Sequence, residues 1–242
     1  MLGEEKFKWD LNDVFNIFIL AFLLELVLFI LLKLFGAEVL IKNVSSQNGM
    51  RTFVVFLIYL VQVLFMMIPL WYIAVKKKNA KAEDFGFRWI KTSKMVLWVI
   101  GGYVFYIGLG TLILLVFYEL GIGSLGFEPQ KPVFEIFGTD LFGIIIASIV
   151  ALVIAPLTEE LFFRGFMLQT ISRKISPVWG VILTTMIFAG IHFEFQSIMP
   201  LLILSLVLNI LFIKTKSIWP GIIFHILNNT IAFIIVLFGI VV

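Results

Sequence analysis

Apolar residues in this chain come in long unbroken runs, neither alternating nor confined to one stripe of a helix. Seven runs stand out, at roughly 14–35, 52–75, 95–118, 140–162, 178–194, 197–213 and 218–239. Each approaches the length that a helix needs to cross about 30 Å of hydrocarbon. A membrane β-barrel would instead show segments of about ten residues with alternating polarity. The expected fold is therefore all-α: a multi-pass transmembrane helix bundle of about seven spans, one membrane domain over residues 1–242. The fourth run is expected to continue as a helix past the membrane to about Ser172. The fifth and sixth are short, and only Glu194, Phe195 and Gln196 divide them.

Composition supports this pattern. The chain is 62% hydrophobic and 14% charged, where soluble domains run near half apolar and a quarter charged. The net charge of +3 points to no nucleic-acid partner, because the basic residues lie between the runs and read as topology signals. With the N-terminus in the cytoplasm, the inner side holds Lys6, Lys8, Lys76, Lys77, Lys78, Lys81, Arg88, Lys91, Lys94, Arg164, Arg173, Lys174, Lys214 and Lys216. That leaves Lys33, Lys42, Arg51 and Lys131, of the 18 Lys and Arg residues, outside. The first run is too long for a signal-peptide core, and it is expected to stay as the first span. The polar loop Lys76 to Lys94 is expected to be solvated, beside anionic lipid. Its Asp84-Phe85-Gly86 lacks the other kinase signatures. With no cysteine, disulfides, thiolate metal sites and a cysteine nucleophile are excluded.

Ionisable groups are costly at membrane depth, about 2.5–3.5 kcal/mol each on the lenient scale, and usually face a bundle interior or a wet cavity. Three clusters of such groups lie in the C-terminal half. Glu159-Glu160-Leu-Phe-Phe-Arg164 ends the fourth run. On an α-helix Glu160 and Arg164 share a face and can pair, while Glu159 lies about 100° away and is expected to point elsewhere. Phe188-Ala-Gly-Ile-His192 puts an aromatic ring and an imidazole on one face. In His225-Ile-Leu-Asn228-Asn229, His225 and Asn229 share a face, with Asn228 beside them. Taken singly, each is more commonly a snorkelling charge or interhelical glue. Taken together, they offer a carboxylate and imidazole able to activate water, and imidazole and amide N–H groups able to hold an oxyanion. The alternative is a catalytic zinc held by Glu159, His192 and His225 with an open position. No HExxH helix is present, and no serine lies next to either histidine.

The three clusters, in this order, resemble the CAAX protease and bacteriocin-processing (Abi) family of intramembrane endopeptidases, whose pattern is EExxxR, FxxxH and HxxxN or HxxxD. The resemblance covers roughly residues 140–235. It implies an endopeptidase related to the type II CAAX prenyl endopeptidase, acting on a membrane-associated peptide or protein that is prenylated or bears a leader. It implies Glu159 as general base with His192 helping to hold the water, His225 and Asn229 as the oxyanion site, and Glu160 and Arg164 in support. Zinc is the cofactor that this family leaves open. A bacterial source would place the protein in the cell membrane. The second reading is a non-proteolytic membrane regulator or scaffold of the same family. A transporter is disfavoured, because the chain shows no repeated halves. One geometric tension remains: the expected spans put His192 and His225 at depths differing by roughly 10 Å.

Overall fold

The structure is a computed structural model that describes residues 8–36, 48–128 and 136–238. Lys6, Lys42 and Lys131, three of the charges used for orientation, lie outside them. The regular elements of the described residues are all helical. They are α1 (Leu11–Leu34), α2 (Asn48–Leu70, continuing as π-helix over Trp71–Lys77), α3 (Thr92–Glu119), α4 (Leu141–Lys174), α5 (Pro177–Ile191), α6 (Ile198–Thr215) and α7 (Trp219–Leu237). Six of these are long and apolar enough to cross a membrane, and the protein is an integral multi-pass membrane protein.

The fifth expected span, 178–194, is corrected to the shorter α5. This helix has 15 residues, about 22 Å at 1.5 Å per residue. Local chemistry sets both of its ends. Ser176 caps the start by accepting from the Trp179 amide, and Pro177 occupies the first turn, where its missing N–H costs nothing. Phe193 takes a left-handed backbone (φ 52°) and stops the helix directly after His192.

Two prolines explain where the long helices widen. Pro69 lies just ahead of the π-helical Trp71–Lys77. Pro156 follows a π-helical turn over Val150–Ile154 within α4. Proline donates no hydrogen bond and crowds the preceding turn, so a wider turn nearby absorbs the distortion. A second π-helical stretch, Glu160–Leu168, carries the charged motif.

The chain divides into two compact units, Met1–Lys81 with Pro132–Thr158, and Ala82–Lys131 with Glu159–Val242. In the first, α1 packs on α2, and α2 on Leu141–Ile149 of α4. Asp10 and Asp13 form a reciprocal capping box at the start of α1. The Lys78 ammonium lies 3.0 Å from Asp13, and Lys8 donates to the Asn79 carbonyl at 2.7 Å. These contacts tie the start of α1 to the end of α2.

In the second unit, α6 packs against α3, α5 and α7. Gly102 allows the closest approach of α3: a Cβ there would come within 3.3 Å of both Val207 and Phe224. The segment expected to be a solvated loop is instead docked. Phe85 is buried, and Gln169 donates to the Asp84 carbonyl at 3.0 Å. Ser217 donates to the Arg88 carbonyl at 2.6 Å, and the Ile218 amide to Gly86 at 2.9 Å. Gly165 leaves room for the Phe85 carbonyl. A loop held this way has its backbone polar groups satisfied and can cover helix ends.

Candidate active site

The charged motif residues, both histidines and Asn228 and Asn229 all lie in the second unit. Glu160 and Arg164 have no exposed surface. A buried charge requires partners, and Arg164 has them in every direction. Its Nη1 donates to Glu160 Oε1 at 2.9 Å. Its Nε donates to Asn209 Oδ1 at 3.1 Å. Its Nη2 donates to the Ser205 hydroxyl at 2.9 Å and to the Ser205 carbonyl at 3.2 Å. The Phe188 ring lies 4.7 Å from the guanidinium carbon, a cation–π distance. Asn209 is held in turn by donating to Thr185 Oγ1 at 3.0 Å.

Glu160 also meets His225, whose Nδ1 lies 3.2 Å from Oε1. The Glu160 carboxylate can only accept here, so His225 Nδ1 donates to it. Nε2 lies 3.9 Å from Glu159 Oε2. The expectation that Glu159 points away from Glu160 is therefore corrected. Both carboxylates reach the same imidazole, one at each nitrogen, because the ring presents its two nitrogens on different edges and glutamate side chains are long. The two carboxylates differ in surroundings. Glu160 Oε1 is bonded to both Arg164 and His225, whereas Glu159 Oε2 faces His225 Nε2. Oε2 of both carboxylates is buried without a hydrogen-bond partner among the described residues. The Glu159 side chain as a whole retains 20% exposure. Gly221 permits this packing, since a Cβ there would come within 2.7 Å of Glu160 Oε2. Gly221 and His225 are one helical turn apart, so one face of α7 is built around Glu160.

Phe188 is where the second motif joins the first. Its ring is fully buried and packs against Phe163 at 5.1 Å, His192 at 4.8 Å and His225 at 6.1 Å. Both histidines thus lie against one phenyl ring, and the depth tension disappears because α5 is short and ends at His192. His192 Nδ1 donates to the Phe188 carbonyl at 2.7 Å. Among the described residues no hydrogen bond or ion pair joins His192 to Glu159; the imidazole facing Glu159 is that of His225. Asn228 turns toward α3, where Tyr103 donates to its Oδ1 at 3.5 Å. Asn229 is half-buried one turn beyond His225.

The zinc alternative needs Glu159, His192 and His225 on one ion. Among the described residues no group of three or more His, Asp or Glu side chains is placed to hold a metal, so the donors present do not fit that site. Sequence reasoning missed Ser205, Asn209 and Tyr103. Ser205 and Asn209 carried a readable signal, as polar residues four apart in the otherwise apolar run Leu201 to Ile213.

Residues 141–231 match the family described as Type II CAAX prenyl endopeptidase Rce1-like. The likeness is to the CAAX protease family. Among curated proteins, the Bacillus subtilis (strain 168) protein named "Putative membrane peptidase YdiL" is 26% identical over 138 residues, 56% of this chain and 54% of that protein. An Escherichia coli protein named "Uncharacterized 24.3 kDa protein" is 33% identical over 96 residues, 36% of this chain and 44% of that one. The chain spans about half the length of the curated relatives it matches. No solved structure matches it. The matched region contains the whole Glu159–Glu160–Arg164–Phe188–His192–His225 cluster, so the likeness to CAAX-type membrane peptidases and the packed polar site coincide.

Proposed function

We propose that this protein is an intramembrane endopeptidase that hydrolyses a peptide bond of a membrane-associated peptide or protein, using a water activated by Glu159 and His225. The observation that carries the reading is the contrast between the two carboxylates. Oε2 of both is buried without a hydrogen-bond partner among the described residues. But Glu160 has no exposed surface and its Oε1 is committed to Arg164 and His225, while the Glu159 side chain keeps 20% exposure and its Oε2 stands 3.9 Å from His225 Nε2. That gap suits a water which donates one hydrogen to each and keeps a lone pair for attack.

In this mechanism Glu159 takes the proton of the water as its oxygen bonds to the carbonyl carbon. The carbonyl π pair moves to oxygen, where an amide N–H of the Asn228–Asn229 pair holds the oxyanion. His225, which the resemblance places with Asn229 at the oxyanion, here serves the water instead. On collapse the C–N bond breaks, and the nitrogen leaves with the proton that Glu159 had taken. Glu160 and Arg164 keep the His225 tautomer and ring in place. His192, packed against the Phe188 ring at 4.8 Å, supports that ring and the end of α5.

Quenched peptides of CAAX type and leader type, incubated with the purified protein in detergent, test this. Glu159→Gln is expected to lower kcat by about 10²–10⁴ with the thermal transition unchanged, and chelator is expected to have no effect. Full cleavage by Glu159→Gln would remove Glu159 as the base. Loss of activity with chelator and its return with zinc would move the chemistry to a metal.

A further inference from the structure

The hydrogen bond between Tyr103 of α3 and Asn228 of α7 lies outside the three motifs. α3 carries none of the clustered ionisable residues, yet it brings a phenol to the edge of the site. The Tyr103 ring packs at a tilt against Phe224 at 4.9 Å and edge-on to Tyr106 at 6.2 Å. Tyr106 also packs edge-on to Phe224 at 6.2 Å. Phe224 is fully buried, and Gly102 lets α3 approach it. The phenol is thus held by aromatic packing, and its hydroxyl meets Asn228 Oδ1 at 3.5 Å.

Helical spacing gives α7 two working faces. Gly221 and His225, four apart, face Glu160. Phe224 and Asn228, also four apart, face Tyr103. An asparagine amide has an acceptor end and a donor end. A partner that donates to Oδ1 determines which way the donor end points. We infer that Tyr103 is a positioning residue for the hydrolytic site: it holds Asn228 Oδ1 toward α3 and so presents the Asn228 amide N–H groups to the substrate carbonyl oxygen. This rests on the proposed peptidase reading and adds to it a residue from a part of the chain that no motif covers.

The test is a double-mutant cycle in the peptide cleavage assay, on a peptide that the wild type cleaves, with Glu159→Gln in parallel. Tyr103→Phe keeps the packed ring and removes only the hydroxyl. It is expected to lower kcat by about tenfold with KM little changed and the thermal transition retained. Asn228→Ala should lower kcat by at least as much. The double variant should be no slower than Asn228→Ala alone, because Tyr103 acts through Asn228. Unchanged kcat in Tyr103→Phe, or losses that multiply in the double variant, would overturn the role of Tyr103 while Glu159→Gln remains inactive. Cleavage that survives Glu159→Gln would instead remove Glu159 as the base, and no cleavage of any CAAX-type or leader-type peptide by the wild type would overturn the peptidase reading itself.

Discussion

Arg164 has no exposed surface, and its guanidinium is met by Glu160, Asn209, Ser205 and the face of Phe188. Removing one partner of such a pair leaves an uncompensated buried charge, which costs about 3–5 kcal/mol. Arg164→Ala is therefore expected to lose that much stability, read by thermal unfolding in detergent. Arg164→Lys should recover only part of it, since an ammonium cannot span acceptors on three sides as the planar fork does. The Glu160–Arg164 pair was legible from four-residue spacing alone. The pair with His225 was not, because no local rule states which of two neighbouring carboxylates a distant imidazole will face.

Among the helices, α7 shows how glycine placement controls the site. In an exposed helix, Gly→Ala usually gains about 0.5–1 kcal/mol. At Gly221 the new methyl would meet Glu160 Oε2 at 2.7 Å, and that carboxylate is already tied to Arg164 and His225. Gly221→Ala is expected to lower both the thermal transition and cleavage. Gly101→Ala in α3, where nothing lies within 4 Å, should leave cleavage intact and not lower the transition. Opposite outcomes at the two positions would contradict the described packing of α7 on α4. The α1–α2 tie is a separate device. The hydrogen bond that the Lys78 ammonium donates to the Asp13 carboxylate raises the Lys78 pKa above its ordinary 10.5. A lysine raised in the folded state contributes stability that is fully present below its unfolded value and lost as pH rises through the folded one. The advantage of wild type over Lys78→Met in thermal unfolding should thus hold at pH 8–9 and shrink above about pH 10.5.

For the molecule in its membrane, the distribution of positive charge predicts that Lys174 and Lys216 face the cytoplasm. α5, α6 and their connection must then carry the chain out and back, although α5 has only 15 residues. The chain has no cysteine, so single cysteines at these positions can be read without background. Lys174→Cys and Lys216→Cys are expected to react with an impermeant maleimide only after the membrane is opened, and Ser124→Cys before it is opened. Labelling of Lys174→Cys from outside would reverse the orientation around α4.

The helical class, the order of the helices and the residues that gather at the site follow from one-dimensional facts. Twenty-residue apolar runs have few ways to satisfy their backbone in lipid, and polar residues inside such runs must find one another or a cavity. Spacing also fixed which residues share a helical face: Glu160 with Arg164, Phe188 with His192, and His225 with Asn229. The contacts between helices depended on packing. A left-handed residue at Phe193 shortened the fifth run, glycines at 102, 165 and 221 set which backbones come close, and the segment around Phe85 docked where polarity suggested solvent. Packing also put His225 rather than His192 opposite Glu159 and brought Tyr103 to Asn228. Such pairings join residues far apart in sequence across helix faces, and hydrophobicity and local spacing do not state which faces meet.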